Sequence, residues 1–339
     1  MLERIKPLIS ADELKKQLPV SDKAARVRDD GVRQIKAVLD GTDSRKIFIV
    51  GPCSADDPDA VCEYAQKLKA VADKIQDKIL TVMRVYTAKP RSRGDGYMGL
   101  LHSPNAKSGN IDFQAGIVAM RKLHIDVTEI GLPTADEMVY SQMAPYTDDL
   151  LSYVTIGART AEDPMHRFTA SGLDVPIGIK NSLGGNMTEL AGSIHAASKS
   201  NEFIFDRSIV RTSGNAYVHG VLRGAVDLDG NNIPNCGYDK VMRAAKDFKS
   251  QGVNCGVIVD TGHANSGKNP SMVRGILADI VGHFADGEYN AFVKGIMIES
   301  YLLGGSKAVT DSGRGISVTD PCLSFAETED LLLYAAAAL

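Results

Sequence analysis

The sequence predicts an α/β protein built as a (β/α)8 barrel, the TIM-barrel architecture, with an N-terminal helical extension. Three observations lead there. From Lys46 onward, short β-branched apolar runs alternate with segments of helical period. The runs are apolar almost throughout, as expected when both faces of a parallel sheet are buried. Eight such runs, each followed by a helical segment, fit within 339 residues with an N-terminal extension to spare. A doubly wound open sheet is the alternative, but no GxGxxG turn opens the first strand–helix unit.

Residues 1–45 read as a helical arm. Ser10 and Glu13 have capping-box spacing ahead of a short helix that Pro19 closes. Asp22 to Leu39 places Val27, Val32, Ile35 and Leu39 on one helical face, with Gly41 behind it. The predicted strands are "KIFIV" (46–50), "ILTVMRVY" (79–86), "DVTEIG" (126–131), "SYVTIG" (152–157), "VPIGIK" (175–180), "EFIFD" (202–206), "CGVIVD" (255–260) and "GIMIES" (295–300). Helices are expected over Ala60–Ile75, Phe113–Leu123, Met187–Ser198, Tyr238–Lys249 and Met272–Phe284. Two connections are long. Residues 87–112 follow the second strand, and 207–237 follow the sixth, with a hairpin expected around "AYVHGVLRG". With no linker, low-complexity tract or repeat, residues 46–339 are expected to form a single catalytic barrel that includes the C-terminal helix.

Composition narrows the function. Hydrophobic residues make up 44% and charged residues 24%, and the net charge of −4 is spread along the chain. That distribution does not suit a nucleic-acid-binding surface. No run approaches the ~20 apolar residues of a membrane span, and the N-terminus has no signal-peptide pattern. Five cysteines in a chain this long do not suggest a disulfide framework, so a cytoplasmic location is expected.

Barrel enzymes build their sites where strands end, and the predicted strand ends are rich in chemistry. Gly51-Pro52-Cys53-Ser54 follows the first strand, and the second contains Arg84 and leads to Lys89 and Arg91. Arg159 follows the fourth, Lys180 ends the fifth, Asp260 and then His263 follow the seventh, and Glu299 ends the eighth. Asp320 and Cys322 come after "GISVT". Each has a plain structural reading taken singly: an ion pair, a packed thiol, a hydrogen-bonded imidazole, a helix cap. Those readings weaken when so many coincidences share one rim. Arg84, Lys89, Arg159, Lys180 and Arg223 together call for a ligand carrying phosphate and carboxylate. Cys53, His263, Glu299 and Asp320 offer a mixed S/N/O donor set, suited to Mn2+, Fe2+, Co2+ or Zn2+ rather than Mg2+ or Ca2+. A divalent ion beside an anion clamp suggests polarisation of a carbonyl.

"IVGPCS", "VMRVYTAKPR", "IGART…HR", "GIKN", "RTSGN", "DTGHANSGK", "IESYL" and "SVTDPC" occur in this order. As an ordered set the chain resembles the type I, metal-dependent 3-deoxy-D-arabino-heptulosonate 7-phosphate (DAHP) synthases, from about Ile5 to the C-terminus. The resemblance implies a transferase that condenses phosphoenolpyruvate with D-erythrose 4-phosphate at the entry to the shikimate pathway and aromatic amino acid biosynthesis. It implies that Cys53, His263, Glu299 and Asp320 are metal ligands, with Cys53, His263 and Lys89 in catalysis and Asp320 also beside substrate. It implies that Arg84, Lys89, Arg159, Lys180 and Arg223 clamp phosphoenolpyruvate, with Glu137 and Ala158 nearby. Pro90, Arg91 and Ser92 match the segment that grips the aldose phosphate. A homodimer or homotetramer is implied as well.

The chain departs from the family pattern in places. The loop "RSRGDGYMG", with Arg93, is slightly longer than in the enterobacterial members. The arm starts late, "DRSIVRTSGN" is shortened, and Asp174 replaces a serine near "APY" (144–146) and "SGLD" (171–174), where effector contacts lie. Altered or absent inhibition by an aromatic amino acid is therefore expected. The rival readings are condensation with another aldose phosphate or an amino analogue, and an inactive regulatory subunit. A pyridine-nucleotide oxidoreductase lacks its glycine fingerprint.

Overall fold

A computed structural model describes residues 1–91, 94 and 96–339. Two helices come first: α1 (Ala11–Gln17), opened by the Ser10/Glu13 capping box, and α2 (Asp22–Asp40), closed by Gly41 in the left-handed conformation. Eight parallel strands then close into a barrel: β1 (Lys46–Gly51), β2 (Ile79–Arg84), β3 (Thr134–Glu137), β4 (Leu151–Ile156), β5 (Ile177–Lys180), β6 (Val218–Leu222), β7 (Val257–Asp260) and β8 (Val293–Glu299). Each pairs with its neighbours in sequence, and β8 returns to β1 in the register Ile47↔Gly295 to Gly51↔Glu299.

The outer layer holds α3 (Pro58–Ile75), α4 (Phe113–Ile130), α5 (Pro164–Ala170), α6 (Met187–Ser198), α7 (Tyr238–Ser250), α8 (Val273–Gly282), α9 (Gly287–Phe292) and α10 (Phe325–Ala338). After β3 the place of a helix is taken by a 3-10 segment, Ser141–Tyr146, which contains Pro145. Side chains alternate between two cores. Ile47, Ile49, Leu80, Val82, Ala135 and Met297 fill the barrel, joined by Ile35 and Val38 of α2, while Phe48, Val50 and Met83 face the helices. Within the barrel, the Tyr153 hydroxyl donates to His219 Nε2 at 2.8 Å, and His219 Nδ1 donates to the Tyr217 carbonyl at 3.0 Å. Both bonds suit the neutral imidazole.

Two predicted strands are corrected. "DVTEIG" is the last part of α4. Its Val127 and Thr128 lie on the buried face that includes Ile117, Met120 and Leu123, and Gly131 ends the helix at φ 108°. The third strand is the four-residue Thr134–Glu137, mostly polar and so invisible as an apolar run. "EFIFD" is also outside the barrel. Glu202–Phe205 pairs antiparallel with Ser208–Arg211, leaving Ile204 71% and Ile209 78% exposed. The sixth strand is "VHGVL", which the sequence reading had placed in a hairpin; it is buried along its whole length.

Candidate active site

The C-terminal strand ends meet at one rim. The approach of β1 to β2 there requires glycine. Gly51 has φ 154°, and a Cβ on it would stand 2.6 Å from the Arg84 carbonyl oxygen. The chain then turns through Pro52 to Cys53. Arg84, wholly buried at the end of β2, reaches past β1 to β8. Its Nη2 donates to Glu299 Oε1 at 3.0 Å, its Nε to the Pro52 carbonyl at 3.4 Å, and its guanidinium lies 3.9 Å from the Tyr86 ring centroid. First and last strands are thus tied through the second.

Cys53, Glu299 and Asp320 bring one donor atom each to within 4.8 Å of one another, a thiol and two carboxylates. Burial, and next the Glu299 charge, push the Cys53 thiol up, against the pull of Lys89. A divalent cation is what would favour the thiolate there. A Cβ on Gly262 would stand 3.2 Å from Asp260 Oδ1 and 3.4 Å from Glu299 Oε2, so the bare backbone keeps this carboxylate side open. The donor set fits a transition-metal or zinc-type ion. His263 is held at φ 49° near the trio but not within it; its Nδ1 lies 2.9 Å from Asp260 Oδ2.

The predicted cations gather at the same end. Lys89 Nζ donates to the Cys53 carbonyl at 2.6 Å. Burial works against its charge, but Cys53, Glu299 and Glu137 outweigh burial and hold its pKa above the usual lysine range. Lys180, 2% exposed, has Nζ 3.6 Å from both Glu137 Oε2 and Asp260 Oδ2. Burial opposes ionisation of Glu137, yet Lys180 and Lys89 bring its pKa below the carboxylate norm. Arg223 is buried, and its pKa is lowered by desolvation with Arg159 also contributing, which puts the two arginines in one neighbourhood. Ala158 and Arg159 follow β4. Pro90 and Arg91 leave the rim half-buried, Arg91 Nε donating to the Tyr97 carbonyl at 3.0 Å. Ser92 and Arg93 lie outside the described residues.

Sequence reasoning saw the cations as awaiting a ligand, and the structure adds anions of the chain's own. Asp260 was noted only as a strand end. It is buried, and despite that burial His263 and Lys180 keep it well below the usual carboxylate range. Tyr86 was missed, although it stands inside the quoted "VMRVYTAKPR"; it lies under Arg84, with Lys89 and Lys180 5.8 and 5.7 Å from its ring centroid. Lys268 was also missed; at φ 61° it places Nζ 3.0 Å from Asp320 Oδ1. Burial raises the Asp320 pKa, but Lys268, joined by Lys89 and His263, brings it below the usual carboxylate value.

A closed parallel barrel whose strand ends gather cations around a thiol–carboxylate trio defines the class: a (β/α)8 enzyme acting on small anionic substrates. Comparison with known proteins supplies the family. Residues 17–332 match the model of the DAHP synthetase I family, and the chain belongs to that family. The Tyr-sensitive phospho-2-dehydro-3-deoxyheptonate aldolase of Escherichia coli K12 is 33% identical over 334 residues, covering 96% of this chain and 91% of that protein. The Phe-sensitive enzyme of the same organism is 34% identical, covering 98% and 94%, and the Trp-sensitive enzyme of Enterobacter agglomerans 35%, covering 99% and 96%. The phospho-2-dehydro-3-deoxyheptonate aldolase structure from Francisella tularensis SCHU S4 superposes with a TM-score of 0.93 at 32% identity, covering 100% of this chain and 98% of that one. The activity is that of a DAHP synthase, the first step of the shikimate pathway.

Proposed function

We propose that this rim condenses phosphoenolpyruvate with D-erythrose 4-phosphate, giving 3-deoxy-D-arabino-heptulosonate 7-phosphate and inorganic phosphate. The observation that carries the residue assignment is the meeting of the cation group with the Cys53/Glu299/Asp320 trio at one end of the barrel. Arg84, Lys89, Arg159, Lys180 and Arg223 hold the phosphate and carboxylate of phosphoenolpyruvate, with Glu137 and Ala158 beside them. Pro90, Arg91 and Ser92 grip the aldose phosphate.

Cys53, Glu299 and Asp320, with His263, would hold a divalent ion (Mn2+, Fe2+, Co2+ or Zn2+), which when bound supplies Lewis-acid polarisation of the aldehyde. The clamp holds C3 of phosphoenolpyruvate toward the aldehyde carbon, where the new carbon–carbon bond forms. Lys89, kept protonated by its anionic neighbours, delivers a proton to the aldehyde oxygen. Water adds at C2, and the carbon–oxygen bond to phosphate breaks as the C2 ketone forms. His263 and Glu137 both stand at the rim to orient that water.

Supporting context is coarser. Among the described residues, no helix is long and apolar enough to cross a membrane, and the five cysteines are free thiols, in keeping with the proposed cytoplasmic location. We propose a homodimer or homotetramer, supported by the exposed Ile204–Ile209 pair, and a division into a helical arm (1–45) and a catalytic barrel (46–339). The test follows phosphoenolpyruvate absorbance on adding erythrose 4-phosphate. EDTA should abolish consumption and Mn2+ restore it with stoichiometric phosphate release, whereas Cys53→Ala should remain inactive with Mn2+ and bind the ion more weakly. Turnover in EDTA, or undiminished activity of Cys53→Ala, would defeat the ligand assignment. Consumption with a pentose phosphate alone would move the aldose assignment.

A further inference from the structure

Asp136 lies on the outer side of β3, facing α4, where a residue needed only for packing would be aliphatic. It is 6% exposed, and its carboxylate is fully engaged. Oδ1 accepts from the Thr87 amide at 3.0 Å and from the Glu137 amide at 2.7 Å. Oδ2 accepts from the Thr87 hydroxyl at 2.6 Å and from Nε2 of the wholly buried His124 at 3.0 Å. A buried carboxylate is costly unless its oxygens are met. Here four donors meet it, and three of them belong to the exits of β2 and β3.

The backbone ladder explains what this does. Met83 donates to the Pro133 carbonyl at 2.8 Å, and Val85 to that of Ala135 at 2.8 Å. The next rung would join the Thr87 amide to the Glu137 carbonyl. Instead the Thr87 amide bonds the Asp136 side chain, and the Glu137 carbonyl accepts from Val139 at 2.9 Å. The carboxylate replaces a rung, so the two chains stay tied beyond the end of the ladder. Lys89 comes two residues after Thr87, and Glu137 directly follows Asp136.

We propose that Asp136, backed by His124, is a positioning residue that sets Lys89 for phosphoenolpyruvate binding. The idea rests on the reading of Lys89 as part of the clamp. It is tested by calorimetric titration of phosphoenolpyruvate into the full Mn2+-loaded chain, with melting temperature recorded for every variant. Lys89→Met should weaken binding by at least about tenfold, and Asp136→Ala by at least about fivefold. Asp136→Asn, which keeps the Oδ1 bonds to both amides, should stay within about twofold of wild type. The double variant Asp136→Ala/Lys89→Met should bind no more than about twofold weaker than Lys89→Met, because Asp136 acts through that lysine. If Asp136→Ala does not fold, Thr87→Val, which removes one hydroxyl bond, takes its place in the cycle with an expected loss of about threefold. Wild-type affinity in both Asp136→Ala and Thr87→Val, or losses that multiply with that of Lys89→Met, overturn the positioning role alone. Unweakened binding by Lys89→Met overturns the clamp reading beneath it.

Discussion

Arg84 carries a permanent charge into a wholly buried position, and its surroundings are arranged to meet that charge: Glu299 at 3.0 Å, the Tyr86 face at 3.9 Å and the Pro52 carbonyl. The sequence made the problem visible, because an arginine ending an apolar run must find an anion. It could not show that part of the answer lies in the chain itself, since Glu299 and Asp260 are far away in sequence and become neighbours only when the barrel closes. His219 is the opposite case, a group whose burial favours the neutral form. Burial depresses its pKa to about 4, opposed by its bond to the Tyr217 carbonyl. Its folded value lies below the unfolded one, so the unfolded chain takes the proton first. The stability this residue contributes is complete above about pH 6.5 and is lost as the pH falls toward about 4. It amounts to roughly 3 kcal/mol over that window. Urea unfolding at pH 7 and at pH 4.5 should show a steeper loss for the wild type than for His219→Gln. Equal losses would show that the imidazole does not carry the effect.

At the scale of elements, periodicity identified most helices and failed where composition disguised the element. The segment 126–131 looked like a strand because Val127, Thr128 and Ile130 favour strands, yet the buried face of α4 continues through it and overrides local preference. "VHGVL" hid as a strand because His219 and Gly220 interrupt the apolar run. "EFIFD" carried the stronger apolar signal, but its alternating burial is that of a surface hairpin. Where elements meet, tolerance is small. Gly51→Ala would place a methyl group 2.6 Å from the Arg84 carbonyl oxygen. It should lower stability by about 1–3 kcal/mol and weaken phosphoenolpyruvate binding, since the methyl group would displace Arg84, where the clamp begins. Thermal unfolding and titration of the variant check both, and a wild-type melting temperature would count against the contact.

For the whole molecule, barrel class and rim were legible because parallel strands buried on both faces leave a rhythm that survives two misplaced strands. Regulation depends on particular side chains beside that rim. Asp174, 89% exposed at its side chain and 2.7 Å from Lys36 Nζ, adds a carboxylate to the lining of a cavity that also includes Ala144, Leu173, Asp136 and Glu137. The enterobacterial relatives are named for their sensitivity to tyrosine, phenylalanine or tryptophan. A carboxylate there repels the carboxylate of an amino acid, so we expect micromolar phenylalanine or tyrosine to leave this enzyme's rate unchanged. Steady-state assays with each amino acid decide it, and inhibition at such concentrations would show that Asp174 does not exclude them.

The seam between β1 and β8 has a temporal side. Cys53 leaves the ribosome well before Glu299 and Asp320 are made, and the rungs Ile47↔Gly295 to Gly51↔Glu299 can form only after β8 has followed. Translation adds about 5–20 residues per second, so Cys53 spends many seconds without the two carboxylates that complete its trio. A nascent or prematurely terminated chain that stops short of Glu299 cannot assemble the three-donor cradle, however well its earlier strand–helix units have formed. Closure of the ring therefore makes synthesis through Asp320 a condition for assembling the donor set, and shorter products are unable to capture an ion through it.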